Sequence, residues 1–314
     1  MARFSEMISM IYELRKSEYT KIQPLFKKLS FTLSDDAVIK GIRPGKIYVD
    51  NLTNPKTAFV WAKPSEFCLS GSPDNDQFNS SLKNLVDEKI TPELLSHNIK
   101  FSVLYYSSAD WDCKIKFILK SQSSKKNYRW LHTFKQQKVS WKGKIPSGFH
   151  VERIDELFLR SKKLHNINNV IDYILFNWNS VENFIQKGFG FCLLCGDEIV
   201  SWCISGDNVG KKCKLTIGTD EKYRNKGFAS LIASIFLEDC LNNNLIPVWH
   251  CGTENLASIA VAEKIGFEKE QLYPVYTWTP NKSAYLRWLL KNKPNALIPT
   301  VIQFSRNHYK LNNC

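Results

Sequence analysis

The chain has 314 residues, of which 43% are hydrophobic and 23% are charged. These are the proportions of an ordinary globular protein, and the length predicts about two domains. Nineteen Phe, twelve Tyr and nine Trp exclude a disordered chain, and no apolar run approaches the roughly 18 residues that span a membrane. Because residues 1–19 also lack the pattern of a secretory signal, we expect a cytoplasmic protein with no membrane partner.

The formal net charge of +13 is concentrated in the first half and the tail of the chain. Residues 1–145 hold 24 Lys and Arg against 14 Asp and Glu, whereas 146–280 hold 13 against 16 and 281–314 hold six against none. We interpret the excess as solvated basic surface; the alternative is attraction to an acidic partner such as RNA. No RNA-binding motif accompanies the charge, so we expect no nucleic-acid partner.

The first half of the chain has the pattern of a mixed α/β domain. In chain order we predict a helix over 7–29, strands over 46–49 and 58–61 joined by a turn over 50–55, a helix over 78–90, a strand over 101–106 and a helix over 111–119. Residues 141–148 combine Gly, Pro and Ser and predict a linker. We therefore predict an N-terminal α/β domain over 1–145, a second domain over 146–280 and a basic extension over 281–314.

The second half is more regular. We predict a strand over 149–154, helices over 156–178 and 180–187, a hairpin of 190–194 and 198–205 around Gly196-Asp197, a strand over 212–217, a helix over 227–241, a strand over 246–250, a helix ending at Gly266 and a strand over 271–279. Asn255 or Thr253 caps the helix that ends at Gly266. The regular alternation of strands and helices favours a compact α/β domain.

The cysteines do not predict a metal site. Nine Cys, an odd number in a chain of this size, indicate reduced thiols rather than disulfides. Cys192 and Cys195 form a C-x-x-C inside a predicted strand, where residues three apart point to opposite faces. No second pair of Cys or His completes a site, so we predict that no metal is bound.

The most informative segment is 216–229, where a strand passes through a basic loop into an amphipathic helix. The free amides and the positive end of the helix dipole predict a site for a phosphate or pyrophosphate. Gly227 allows the backbone to approach a ligand closely, and Arg224 and Lys226 add positive charge. The alternative interpretation is an ordinary helix start that follows a loop.

With its flanking pieces, this segment resembles the acetyl-CoA signature of the GNAT N-acetyltransferase superfamily. The resemblance covers about 149–279. It rests on Arg224-Asn-Lys-Gly-Phe-Ala229 after a strand, on Asn255 after the next strand, and on Glu263-Lys-Ile-Gly-Phe267 closing the next helix. The resemblance implies an α/β fold built on a mixed sheet.

A narrower resemblance is to a bacterial group of two-domain GNAT enzymes with the layout of the glycine N-acyltransferases. In that group a smaller α/β domain, which we expect to be a degenerate relative of the GNAT fold, precedes the catalytic domain. The segments that carry it are 187–191, 249–251 and 255–258, with fainter similarity at 200–202 and 218–219.

The resemblance implies roles for particular residues. The backbone of the strand end would bind the pantetheine arm and polarise the thioester carbonyl, and the amides of the following loop and helix would hold the pyrophosphate. Asn255, helped by Ser258, would contact CoA where two parallel strands separate; the alternative for Asn255 is a plain helix cap. The implied cofactor-binding set is Ile217, Gly218, Thr219, Arg224, Asn225, Lys226, Gly227, Phe228, Ala229, Asn255 and Ser258.

The sequence departs from the family pattern at the general acid. Many members carry a Tyr seven residues after the Asn, where this chain has Ala262. Tyr273 and Tyr276 are the nearest candidates to protonate the leaving thiolate. The alternatives are packing roles for both tyrosines and a thiolate that leaves unaided.

His250 is the candidate general base. It lies five residues before Asn255, at a place where some family members have a catalytic Glu. A neutral imidazole can accept the proton that an alkylammonium must lose before it attacks. The alternative is a histidine that only makes a hydrogen bond at a strand end, while Trp249 and Cys251 face the other side and pack.

The implied function is acetyl-CoA-dependent transfer of an acetyl group to a primary amine, by direct attack in a ternary complex. We expect a small-molecule acceptor. The alternatives are a catalytically silent GNAT domain that binds CoA or a protein partner, and an acetyltransferase that acts on RNA or protein. The identity of the amine, the length of the acyl group and the oligomeric state stay open.

Overall fold

The computed structural model describes residues 11–161, 164–283, 285, 286 and 290, which divide into two compact units. The first unit comprises the described residues of Met1–Asp35, Gly45–Asn127 and Val275–Cys314, and the second comprises those of Asp36–Pro44 and Tyr128–Pro274. The predicted linker at 141–148 lies inside the second unit. The domain division at 145/146 and 280/281 stays a prediction, and most of 281–314 lies outside the described residues.

Twelve strands and nine α-helices are assigned in the described residues. The strands are β1 (Tyr12–Glu13), β2 (Gly45–Val49), β3 (Thr57–Ala62), β4 (Glu66–Gly71), β5 (Ser102–Tyr106), β6 (Ser123–Phe134), β7 (Phe149–Arg153), β8 (Gly190–Cys195), β9 (Glu198–Val209), β10 (Lys212–Thr219), β11 (Ile246–Gly252) and β12 (Phe267–Thr279). The helices are α1 (Ser34–Ile39), α2 (Asp76–Leu85), α3 (Thr91–Ser96), α4 (Asp112–Ile118), α5 (Glu156–Arg160), α6 (Ile167–Trp178), α7 (Val181–Lys187), α8 (Phe228–Asn242) and α9 (Leu256–Ile265).

The first unit is built on a mixed sheet. Strands β1 to β4 pair antiparallel in chain order, β5 joins β4 in parallel, and the end of β12 pairs antiparallel with β5. Strands β3 and β5 are buried along their whole length, which explains why they are nearly continuous apolar runs. Phe59, Trp61 and Phe67 on this sheet pack with Phe78 and Leu82 of α2 in one hydrophobic core.

The sheet of the second unit repeats the same pattern of pairings. Strands β7 to β10 pair antiparallel in chain order, β11 joins β10 in parallel, and β6 pairs antiparallel with β11. The predicted α/β class with a mixed sheet is therefore confirmed. The repetition of the pattern in the first unit is what we expect of a degenerate relative of the same fold.

Helices cover both faces of the sheet in the second unit. Cys213 and Leu215 of β10 lie in one hydrophobic cluster with α8. Because side chains alternate along a strand, Thr216 points to the opposite face, where its hydroxyl is 3.2 Å from Oδ1 of Asn177 on α6. Trp202 of β9 belongs to the cluster on that second face, with residues of α6 and α7. We call this second face the α6 face.

Strands β10 and β11 separate partway along their length. They pair only at 212–214 against 246–248, although β10 continues to Thr219 and β11 to Gly252. Beyond the last pair, Lys214 with Val248, the two strands present backbone groups that the parallel ladder does not use. Such an opening at the carboxyl ends of parallel strands is a common place for a ligand.

Two of the predicted helices were wrong in their extent. The helix predicted over 7–29 begins at Lys16, because β1 precedes it and the amide of Leu14 donates to the carbonyl of Ile47; residues 7–10 lie outside the described part. The helix predicted over 156–178 is interrupted. Its first part ends at Ser161, which is extended, and α6 begins only after Asn166, whose φ of 67° is left-handed.

The hairpin around Gly196-Asp197 and the helix that ends at Gly266 are confirmed. The eight cysteines in the described part of the chain are free thiols, and Cys192 is buried while Cys195 is half-buried. Within the described residues, no cluster of three or more His, Cys, Asp or Glu side chains could hold a metal ion. None of the described helices is long and apolar enough to cross a membrane.

Candidate functional site

A cleft of about 990 Å³ lies in the second unit, at the place where β10 and β11 separate. It is lined by the end of β10, the loop that follows it, the first residues of α8 and α9, and one side of α6. Ten of the eleven predicted cofactor-binding residues line it; the exception is Lys226. The ten are Ile217, Gly218, Thr219, Arg224, Asn225, Gly227, Phe228, Ala229, Asn255 and Ser258.

The loop before α8 has the backbone of an anion site. Asn225 and Gly227 have φ values of 63° and 83°, in the left-handed region that favours glycine. A Cβ atom on Gly227 would meet no atom within 4 Å, so the backbone there borders open space. Helix α8 starts without a side-chain cap, so its first amides have no acceptor within the helix and are available to a negatively charged ligand.

The side chains of this loop are mostly engaged with the protein itself. The Arg224 guanidinium is 3.2 Å from the Glu221 carboxylate and its Nε donates to the carbonyl of Thr219 at 3.4 Å. Nζ of Lys226 lies 5.2 Å from the ring centre of Tyr223. The side chain of Phe228 is buried against Phe149. The loop therefore offers its backbone amides more directly than its side chains.

The end of β10 is held in place by a buried serine. The hydroxyl of Ser201 on β9 donates to the carbonyl of Gly218 at 2.8 Å and lies 2.8 Å from the Thr219 hydroxyl. Ser201 is completely buried. These contacts fix the strand segment that borders the opening between β10 and β11.

Asn255 and Ser258 have structural partners as well as a place in the cleft. The side-chain oxygen of Asn255 accepts a hydrogen bond from the amide of Ser258 at 3.1 Å and so caps α9, as one of the two interpretations held. The Ser258 hydroxyl accepts from the indole N–H of Trp249 at 3.0 Å. The proposed contact of both residues with CoA stays a prediction.

His250 and Tyr273 lie together on the α6 face of the sheet. Nδ1 of His250 is 2.8 Å from the hydroxyl of Tyr273. Trp249 and Cys251 pack in the cluster of α8, so His250 between them points the other way. Neither His250 nor Tyr273 lines the cleft itself, and their catalytic roles stay predictions.

The structure does not bring Tyr276 to the cleft. It belongs to the first unit, where it is 2% exposed, packs against Tyr106 with ring centres 5.7 Å apart, and has its hydroxyl 3.5 Å from the carbonyl of Asp112. These surroundings favour the packing alternative. Ala262 lies on the buried side of α9, where it is completely buried, and its methyl group offers no acid.

Sequence reasoning missed the residues that α6 and β9 bring to the cleft. Asn169, Asp172 and Tyr173 of α6 line it, together with Trp202 of β9. Partial burial raises the pKa of the Asp172 carboxyl above its usual range. Asp172 is the one charged residue of α6. A single carboxylate among apolar and Asn residues was the feature of the sequence that could have indicated a functional role.

The remaining acidic residues of the cleft have partners of their own. Asp220 accepts from the amide of Lys222 at 3.1 Å and from the Asn166 amide group at 3.3 Å, and Glu221 pairs with Arg224. Within the described residues, Asp172 makes no hydrogen bond or ion pair through its side chain. It is therefore the carboxylate most available to a ligand.

Comparisons with known proteins agree with this geometry. The model of the GNAT acetyltransferase family matches residues 23–276, which extends the predicted resemblance into the first half of the chain. The uncharacterized N-acetyltransferase YdfB of Bacillus subtilis (strain 168) is 30% identical over 271 residues, covering 86% of this chain and 99% of that protein.

Two solved structures share the fold at low identity. A GCN5-related N-acetyltransferase-like protein from Streptococcus suis is similar with a TM-score of 0.64 and 22% identity, over 83% of this chain and 98% of that one. A tandem GNAT protein from the clavulanic acid biosynthesis pathway has a TM-score of 0.50 and 7% identity, over 86% of this chain and 99% of that one.

Proposed function

Because this chain belongs to the GNAT acetyltransferase family, we propose that it transfers an acetyl group from acetyl-CoA to the primary amine of a small molecule. The observation that carries the proposal is the cleft. It joins a helix start whose first amides have no side-chain cap to the opening between β10 and β11, and it continues to an available carboxylate on α6. A cofactor that carries a pyrophosphate would fit the end of the cleft at α8. A cationic acceptor would fit the end at α6.

The residues at the α8 end fit acetyl-CoA. Amides of 224–229 would hold the pyrophosphate, since Gly227 leaves the approach open and α8 has no side-chain cap. Backbone groups of 217–219 would bind the pantetheine arm, and Asn255 and Ser258 line the same cleft from α9. Bound acetyl-CoA supplies the activated acetyl group.

The α6 end fits a positively charged acceptor. The Asp172 carboxylate would attract an ammonium group, and the exposed ring of Tyr173, the next residue, offers a face on which a cation is favourable. We propose that Asp172 holds a positive charge of the acceptor while the reacting amine points to the opening between the strands.

The reaction is a direct transfer. The lone pair of the neutral amine forms a C–N bond to the thioester carbonyl carbon, and the C–S bond breaks with its electron pair leaving on sulfur. His250 would accept the proton lost from nitrogen, and Tyr273, whose hydroxyl is 2.8 Å from Nδ1 of His250, would give a proton to the thiolate. Neither side chain lines the cleft, so both would act at its edge. The products are the N-acetylated amine and the CoA thiol.

Acetyl-CoA is expected to stabilise the folded protein, because it binds the folded loop and not the unfolded chain. At 100 times its dissociation constant the gain is about 2.7 kcal/mol, measurable as a rise in melting temperature. Gly227→Glu should abolish the rise, because it places a carboxylate against the pyrophosphate site. Gly210→Glu is the matched control, since Gly210 is also left-handed with open space around it but lies outside the cleft. An unchanged wild-type melting temperature at millimolar acetyl-CoA would contradict the proposed function.

Asp172→Asn is expected to raise the KM for a cationic acceptor by up to about fivefold, since Asp172 is exposed and a charge pair at an exposed site contributes about 0.2–1 kcal/mol. The measurement compares 1,4-diaminobutane with 4-aminobutan-1-ol, which lacks the second charge. Wild type should prefer the diamine, and the variant should lose that preference. Glu182→Gln, an exposed acid of α7 outside the cleft, should leave both KM values unchanged. Equal KM values for wild type and Asp172→Asn would exclude this role.

A further inference from the structure

We propose that Trp202 is a catalytic residue whose indole N–H donates to the thioester carbonyl oxygen of acetyl-CoA as negative charge develops there. This inference rests on the proposed function and adds to it a side-chain donor to the thioester carbonyl. It is carried by the placement of Nε1 at the strand segment that borders the opening between β10 and β11.

Trp202 lies in the cleft with a polar atom that the protein leaves unused. Its side chain is 4% exposed, and the residue lines the cleft. Its buried Nε1 has no hydrogen-bond acceptor among the described residues. A buried N–H without an acceptor costs free energy, so an acceptor supplied by a ligand would relieve that cost.

The indole lies directly over Gly218. The two residues are partners in the β9–β10 ladder, and a Cβ atom on Gly218 would lie 2.3 Å from Cε2 and Cζ2 of the indole and 2.8 Å from Nε1. Any side chain at 218 would displace the ring. Glycine there lets the N–H sit close to the backbone of 217–219, where the proposed function places the thioester.

Two other buried tryptophans show that an Nε1 without an acceptor does not by itself indicate a ligand-binding role. Trp111 and Trp278 also lack an acceptor among the described residues, but both belong to the core of the first unit and neither lines the cleft. Trp178 and Trp249, both in the second unit, donate to Ser205 and Ser258. Trp202 alone among these five combines an unused N–H with a place in the cleft.

Aromatic and aliphatic side chains pack around the indole ring. Tyr173 contacts it edge-to-face with ring centres 5.5 Å apart, and its other neighbours in the α6-face cluster include Ile174 and Ile204. A donor fixed in advance stabilises developing charge without reorganising during the reaction. When the amine attacks, the π electrons of the carbonyl move onto its oxygen; they return as the C–S bond breaks, and the N–H is not transferred.

The test is Trp202→Phe, which keeps an aromatic ring and removes the N–H. We expect kcat to fall about 10²–10³-fold, the usual effect of removing one donor to an oxyanion. The dissociation constants of acetyl-CoA and of free CoA, and the melting temperature rise with acetyl-CoA, should change little. Trp111→Phe removes an equally buried and unbonded N–H outside the cleft and should leave kcat unchanged.

A second measurement separates the N–H from a packing effect. Gly218→Ala should also lower kcat, because the methyl group pushes the indole aside. In the Trp202→Phe background the same substitution should lower kcat much less, since the donor is already absent. Additive effects of the two substitutions would mean that they act independently and would overturn the inference.

The outcomes also distinguish this inference from the proposed function. A wild-type protein that neither binds acetyl-CoA nor acetylates any amine contradicts the proposed function. An active wild type with a Trp202→Phe variant of unchanged kcat, or with a change confined to the KM for the amine, overturns the role of Trp202 and leaves the proposed function standing.

Discussion

His250→Ala is expected to lower the rate of acetyl transfer about 10²–10⁴-fold, the usual contribution of a positioned general base. His250 points to the α6 face, which also carries Asp172 and Trp202, and its Nδ1 is 2.8 Å from the Tyr273 hydroxyl. That contact orients the imidazole. The measurement is kcat with a saturating amine, followed by the release of free CoA thiol.

Three further measurements show whether the loss of rate in His250→Ala comes from the lost base. The dissociation constant of acetyl-CoA should change little in His250→Ala, because the pyrophosphate loop is a separate segment. Tyr273→Phe should lower the rate less than His250→Ala if the tyrosine orients the base, and by a similar factor if it also supplies the proton to the thiolate. His150→Ala, an exposed histidine outside the cleft, should have no effect. A His250→Ala rate within about threefold of wild type, against the decades expected of a base, would show that the amine loses its proton through water.

The α8 end of the cleft could be predicted because its residues are close together in the sequence. The strand end, the loop and the start of α8 lie within 216–229, and each has a local physical signal. Gly227 adopts a left-handed φ directly before α8, and the helix start without a side-chain cap leaves amides that an anion or water can satisfy. The same local reasoning predicted that Asn255 caps α9.

The α6 end of the cleft could not be predicted in the same way, because it is assembled by packing. Asp172 and Trp202 come from a helix and a strand that precede the motif, and they meet the cleft only because α6 covers the face of the sheet opposite α8. The helix predicted over 156–178 includes α6, but the prediction does not say which of its polar residues reaches the end of β10. The pairing of Trp202 with Gly218 likewise depends on the register of β9 and β10.

The sequence also did not predict which segments of the chain belong to each unit. Residues 36–44 are close in sequence to β2 but belong to the second unit. Ile42 packs against the cluster on the α6 face, and the Lys187 ammonium donates to the carbonyls of Gly41 and Ile42 at 3.2 and 3.3 Å. Their buried polar link is an ion pair between Arg43 and Asp207, residues 164 positions apart. Hydrophobic periodicity along the sequence cannot predict a contact between residues so far apart in the chain. The stability of the second unit should therefore depend on a residue from the first fifty of the chain.

Arg43→Met is expected to destabilise the second unit by about 3 kcal/mol, within the range for removing one partner of a buried ion pair. Nη1 of Arg43 lies 2.9 and 3.2 Å from the two carboxylate oxygens of Asp207, and the two side chains are 2% and 3% exposed. The Lys214 ammonium, 3.9 Å from Asp207, places the expected value at the lower end of that range. For a unit of this size the loss corresponds to a fall of about 6–12 °C in melting temperature, measured by calorimetry.

The exposed pair of Arg153 and Asp239 is the control for this experiment. Its atoms are 3.3 Å apart but the arginine is 54% exposed, so Arg153→Met should change the free energy of unfolding by less than about 1 kcal/mol. The double variant Arg43→Met and Asp207→Leu should recover part of the loss, because it removes the buried carboxylate together with the cation that compensates it. If Arg43→Met is no more destabilising than Arg153→Met, the buried pair does not hold residues 36–44 to the second unit. If the double variant is as unstable as the sum of its parts, the loss reflects packing of the long Arg43 side chain rather than an uncompensated charge.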